Sequence, residues 1–164
     1  MSTLAAPPAL PPAMVVRDAL QDMLGRDVQI APSEPWAPTL RDPGAVAVYV
    51  DDGSRLRALI CCNLELSVAL SASIALIPAK TAASIVEEGW LTNDMAENLN
   101  EVLNILAALF NRSNRVHVKL YELHVPGELP SADLTAHLRA FGKRSDLTLK
   151  VAGYGGGHMS IVLV

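Results

Sequence analysis

Asn93-Asp94-Met95-Ala96-Glu97-Asn98-Leu99-Asn100-Glu101-Val102-Leu103-Asn104-Ile105-Leu106-Ala107-Ala108-Leu109-Phe110 is the stretch on which the reading of this chain turns. Met95, Leu99, Val102, Leu103, Leu106 and Phe110 recur at the three-and-four spacing of one helical face. Glu97, Asn100, Glu101 and Asn104 recur at the same spacing on the other side. The stretch therefore predicts an amphipathic helix that buries an aliphatic stripe and turns an acid-amide stripe outward. Glu101 and Asn104, three apart, are neighbours on that outer face. Asparagine is a poor helix former, yet Asn98, Asn100 and Asn104 all fall within the helix. Thr92 or Asn93 can cap its start, and Asp94 in the first turn suits the helix dipole.

Beyond the helix, the run from Arg115 to Val125 alternates and predicts one long strand. Its period of two puts Val116, Val118, Leu120 and Glu122 on one face, with His117, Lys119, Tyr121, Leu123 and Val125 on the other. Pro126 ends it. Upstream, Ala45 to Val50 predicts a strand, Asp51-Asp52-Gly53-Ser54 a hairpin turn, and Arg55 to Asn63 the returning strand. Glu65 to Ile77 and Ala79 to Glu88 read as helices separated by Pro78. Met14 to Gly25 reads as a first helix with Gly25 as its C-cap. Asp27 to Ala31 reads as a strand, and residues 32–43 as a Pro-punctuated loop. Ser131 to Phe141 reads as a short helix capped by Ser131. Asp146 to Val151 and His158 to Val164 read as two closing strands, joined through Gly153-Tyr154-Gly155-Gly156-Gly157. The class is α+β: a mainly antiparallel sheet with helices packed on one face.

At 164 residues the chain is long enough for one domain with its own core. Hydrophobic residues make up 51% and aromatics only 4%, so that core is aliphatic. A net charge of −4 argues against a nucleic-acid partner, which would need a basic stripe. Cys61 and Cys62 are adjacent in an apolar run and read as buried thiols in a reducing compartment. Residues 1–12, with their prolines and no basic leader, read as a flexible tail ahead of a single domain over 13–164. The run from Ala58 to Pro78 contains Asn63, Glu65, Ser67, Ser71 and Ser73. It reads as a buried strand and helix rather than a membrane span, and the expected location is the cytoplasm.

The order Glu101-Val102-Leu103-Asn104, an apolar run, a strand and then Pro126 resembles the signature of the CheC/CheX family of chemotaxis phosphatases. Twenty-one residues separate Asn104 from Pro126. This chain has Glu97 where the family often carries Asp or Ser, and Ala108 where it favours glycine. The segment from Arg17 to Ala31 carries no second Glu-x-x-Asn, so the resemblance is to the one-site CheX branch. It implies an enzyme acting on the aspartyl phosphate of a response-regulator receiver domain, CheY-like. Asn104 would orient the attacking water and Glu101 would dock the receiver's lysine. Glu97 and Asn100 would extend the docking face, and Pro126 would shape the strand end. The resemblance implies no cofactor of the chain's own, with Mg²⁺ held by the receiver, and a homodimer joined through sheet edges. A different class stays open: a non-catalytic adaptor, CheX-like or flagellar-switch-like, gripping a partner by the same helix.

Other motifs carry less. His117, His124, His137 and His158 lack ligand spacing, so a metal site is not expected. Gly153 to Gly157 lacks the Lys-Ser/Thr of a phosphate loop and precedes a strand, which fits a hairpin loop. Asn111-Arg112-Ser113 matches a glycosylation acceptor without an export signal to give it meaning.

Overall fold

A computed structural model describes residues 6–112 and 116–164. The element order is α1 (Ala13–Leu24), β1 (Val28–Pro32), β2 (Gly44–Asp51), β3 (Leu56–Asn63), α2 (Leu64–Ile74), α3 (Ala79–Glu88), α4 (Asn93–Leu106), a 3₁₀ turn (Ala107–Leu109), β4 (Val118–His124), α5 (Ala132–Arg139), β5 (Arg144–Val151) and β6 (Gly155–Leu163). The six strands form one sheet in the order β1-β5-β6-β3-β2-β4, and every pairing is antiparallel. The fold is the α+β class read from the sequence.

Alternation along the central strands explains the layering. Ala45, Ala47 and Tyr49 of β2, with Ala58, Ile60 and Cys62 of β3, point to the face covered by α1, α2 and α4. Val46, Val48 and Val50, with Leu59 and Cys61, point to the opposite face. That second face is covered by Leu138 of α5 and by Trp36 and Ala37 of the loop before β2. Short α5 thus sits apart from the helical layer. The two cysteines lie in β3, both buried and both free. As strand neighbours they face opposite ways, which places their thiols in different apolar clusters.

The β2–β3 turn is held by Asp51, whose carboxylate accepts from the Gly53 and Arg55 amides at 2.9 and 3.0 Å and from Arg57 Nε at 2.8 Å. Asn63 ends β3 and caps α2: its Oδ1 accepts from the amides of Leu66 and His158, both at 3.1 Å. This cap explains the glycine run. Gly155, Gly156 and Gly157 begin β6, and the turn is Ala152–Tyr154. A Cβ on Gly157 would collide with the Asn63 carboxamide, and one on Gly156 with the Leu149 carbonyl. Gly156 and Gly157 therefore permit close approach inside a strand, whereas Gly155 stands in open space at φ +79°.

β4 is shorter than the sequence suggests, Val118–His124, and Arg115 lies outside the described residues. It also breaks its alternation. Val48 pairs with Glu122 but Tyr49 with Leu120, so Tyr121 is an inserted bulge residue. Leu120 and Leu123 consequently both pack on the core, while Tyr121 and Glu122 are exposed. After β4, Val125-Pro126-Gly127-Glu128 forms a turn closed by Glu128 N–H to the Val125 carbonyl at 3.0 Å, with Gly127 at φ +98°. Proline second and a positive-φ glycine third are what a type II turn requires. The Pro-rich stretch read as a tail lies against the domain from Ala6 onward. The Ala6 carbonyl accepts from Val116 N at 2.8 Å, Pro8 and Pro11 are buried, and Leu10 packs on the core.

Candidate functional site

The candidate site is the outer face of α4. Met95, Leu99, Val102, Leu103 and Leu106 are buried and fix the helix in rotation. With that stripe held inside, Glu97, Asn100, Glu101 and Asn104 must emerge together, and all four are exposed. The hydroxyl of Thr92 caps the helix by accepting from Met95 N at 3.2 Å, which selects Thr92 over Asn93 as the cap.

The C-terminal end of α4 is held from outside the helix. The Ala107 amide turns to the Asn104 and Ile105 carbonyls as the chain tightens into the 3₁₀ turn. The Leu103 carbonyl is met by buried Tyr49, whose hydroxyl donates to it at 2.6 Å. Burial pushes the Tyr49 phenol well above its ordinary pKa, and the neighbouring Cys62 adds to this, so the donor stays protonated. Phe110 packs on the Tyr49 ring at 5.1 Å between centroids. Just beyond, the Asn111 carboxamide both donates to the Val118 carbonyl and accepts from its amide, each at 2.7 Å. The acceptor-like Asn111 is thus a structural clamp between α4 and β4; Ser113 of that motif lies outside the described residues. The turn that carries Asn104 is rigidly mounted on the sheet.

The structure brings one further acid to the same face. A groove of about 580 Å³ runs between α1, the end of α2 and α4. Its walls include Met23, Ile74, Ile105 and Leu109, and its carboxylates are Asp22 and Glu101. Ile105 remains 46% exposed beside Glu101. Asp22 and Ile105 were not singled out from the sequence, because only the packing of α1 against its neighbours reveals them. The signal available was Asp22 on the polar side of the first helix. Pro126 belongs to the turn after β4 and not to this face.

Chemically, the face offers a carboxylate for a cation and a primary amide with two donors and one acceptor. The Cys61 and Cys62 thiols do not reach this face, being buried in and behind the sheet. Burial raises the Cys61 thiol to about 12 and the Cys62 thiol well above its usual range. Among the described residues no three His, Cys, Asp or Glu side chains gather as a metal site, and no helix is long and apolar enough to cross a membrane.

No family model matches the chain, and no curated protein matches it in sequence. Solved structures do match in fold. The FliM middle domain from H. pylori aligns with a TM-score of 0.59 at 10% identity, over 92% of this chain and 84% of that one. The chemotaxis protein CheX from Vibrio vulnificus aligns at 0.51 and 11% identity, over 91% and 93%. The CheX–CheY–BeF₃–Mg²⁺ complex from Borrelia burgdorferi aligns at 0.50 and 13% identity, over 89% and 90%. The chain has the fold shared by CheX and the FliM middle domain.

Proposed function

We propose that this chain is a phosphatase acting on the aspartyl phosphate of a response-regulator receiver domain. The observation that carries the reading is the joint exposure of Glu101 and Asn104 on a helix whose buried stripe and sheet-anchored end fix their direction. The CheX fold supports it, since a CheX has been solved together with CheY, BeF₃ and Mg²⁺.

An aspartyl phosphate is an activated acyl phosphate, so its hydrolysis needs a placed water and not a covalent enzyme intermediate. The Asn104 amide would hold that water in line with the phosphorus. The water oxygen bonds to phosphorus, the bond from phosphorus to the aspartyl oxygen breaks with its electron pair left on the aspartate carboxylate, and inorganic phosphate leaves as H₂PO₄⁻ with both of the water's protons, one of which it can then lose to solvent. Glu101 would pair with the receiver's lysine and set the depth of Asn104. Glu97 and Asn100 would extend the contact along the helix. The Mg²⁺ of the reaction would belong to the receiver. A homodimer joined through a free sheet edge, β1 or β4, forms part of the same proposal, and light scattering tests it.

The test is phosphate release from receiver domains charged with a small-molecule phosphodonor. Wild type should accelerate release. Glu101→Ala should weaken binding by the loss of a charge pair, about 1–3 kcal/mol, and the effect should shrink at high salt.

A non-catalytic adaptor is the second reading, and one observation favours it. The FliM middle domain superposes better than CheX does, at 0.59 against 0.50–0.51. A chain that binds the receiver through α4 but leaves its phosphate lifetime unchanged is this adaptor.

A further inference from the structure

The sheet face opposite the α4 layer carries a groove that the phosphatase reading does not use. It runs between α5 and the loop over residues 33–43 as two contiguous hollows of about 510 and 400 Å³ that share Thr39 and Arg139. Its walls are built and not merely draped. Arg144, with a side chain only 8% exposed, grips the Asp146 carboxylate at 2.8 and 2.9 Å. The same guanidinium donates to the Leu138 and Ala140 carbonyls at 2.8 and 3.0 Å, which ties the end of α5 to β5. Ser160 donates to Asp146 at 2.5 Å. On the loop side, the Trp36 indole N–H donates to Asp42 at 2.7 Å, and its ring stacks on His158.

Two large apolar side chains of the larger hollow stand in water together, Leu40 at 77% and Leu129 at 51% exposure. Large apolar side chains left in water at one place mark a contact surface. Beside them stand Arg41 and Arg139, and no carboxylate lines either hollow. Arg17, Arg57 and Arg144 each hold an aspartate, whereas Arg41 and Arg139 have no ion pair or hydrogen bond among the described residues. Arg139, in the last turn of α5, suits the helix dipole. Arg41 sits in a loop, and no such local role accounts for it. In a chain of net charge −4, this is a cationic apolar groove with preformed walls.

We propose that the groove is a docking site for an acidic amphipathic segment of a partner protein. Its carboxylates would pair with Arg41 and Arg139, and its large apolar side chains would cover Leu40 and Leu129. Charge complementarity selects this occupant over a basic segment, and a nucleic-acid backbone would leave the leucines in water. Because α4 lies across the sheet, both faces can be occupied at once. The inference is independent of what α4 does.

The experiment is selection of random displayed dodecapeptides on the immobilised full-length chain. The expected outcome is enrichment of peptides combining Asp or Glu with Leu, Ile, Phe or Trp. The best peptide, fluorescein-labelled, should lose affinity by ~10-fold or more on Arg41→Glu/Arg139→Glu, and should bind Glu97→Ala/Glu101→Ala as it binds wild type. Leu40→Ser, which lies in the loop and not in α5, should also weaken it, which covers the case that Arg139→Glu disturbs the helix; circular dichroism checks each variant. Three results overturn the proposal: no enrichment, enriched peptides indifferent to Arg41 and Leu40, or self-association of the chain that the charge reversal abolishes. The last would assign the groove to a second copy.

Discussion

Asn104→Ala should make this protein slightly more stable while removing its proposed activity. The Asn104 side chain is exposed on α4 and makes no side-chain hydrogen bond among the described residues, so truncation breaks nothing. Alanine is the better helix former by up to about 0.7 kcal/mol. In a chain of 164 residues that gain corresponds to a melting temperature higher by roughly 1–3 °C. Against this, loss of the water-positioning amide should slow phosphate release by about 10², or roughly 2.7 kcal/mol of barrier. Calorimetry or denaturant titration reads the first effect, and phosphate release at saturating receiver the second. Binding of the charged receiver should survive, because Glu101 and the groove beside it are intact. Undiminished turnover in Asn104→Ala would refute the catalytic assignment. A clear fall in stability would refute the claim that the amide is free to act outward.

Tyr49→Phe leaves the Leu103 carbonyl without its donor in a buried setting, and a urea titration should show a loss of about 1–3 kcal/mol; an unchanged midpoint would mean that another donor takes over. Acid should destabilise the fold through Asp51 and Asp146. The Arg55 amide and Arg57 hold the Asp51 carboxyl below its ordinary pKa. Burial raises Asp146, but Arg144, Ser160 and the Trp36 amide outweigh it and the net direction is down. Carboxyls depressed in the folded state contribute stability that is fully present above the unfolded value of about 3.9. That contribution is lost as pH falls through their folded values, and Asp146→Asn should flatten the acid limb of a stability–pH curve. The buried thiols should react with an aromatic disulfide reagent only as fast as the chain opens, which stopped-flow absorbance over a denaturant series can verify.

What the sequence disclosed was what short-range periodicity controls. The buried stripe of α4 repeats every three or four residues, so the direction of Glu101 and Asn104 could be read from Met95, Leu99, Val102, Leu103 and Leu106 alone. The Asp51–Ser54 hairpin and the Gly25 cap were equally local. Features that depend on distant partners were hidden. The bulge at Tyr121 arises where β4 meets β2. The glycines at 155–157 look like a loop until Asn63, some ninety positions earlier, is seen against Gly157. Asp22 joins Glu101 only through the packing of α1. The placement of α5 on the far face follows from the Arg144–Asp146 pair and its hold on the Leu138 and Ala140 carbonyls. No window of sequence contains those partners together.

Tyr49 stands between two register shifts, one toward β3 between Tyr49 and Val50 and one toward β4 between Val48 and Tyr49. The extra residues lie in the neighbouring strands, Arg57 of β3 and Tyr121 of β4, so Tyr49 is flanked by an irregular pairing on each side, and its hydroxyl meets the last turn of α4. The C-terminal end of that helix is therefore held by a strand residue as well as by the helix's own buried stripe. This separates mounting from tool. The outward residues at 97, 100, 101 and 104 can be exchanged for others without disturbing how the helix is seated. One scaffold of this shape can thus carry different outward residues on the same seat. A change at Tyr49, in turn, would loosen the seat of the face while every residue on it stayed the same.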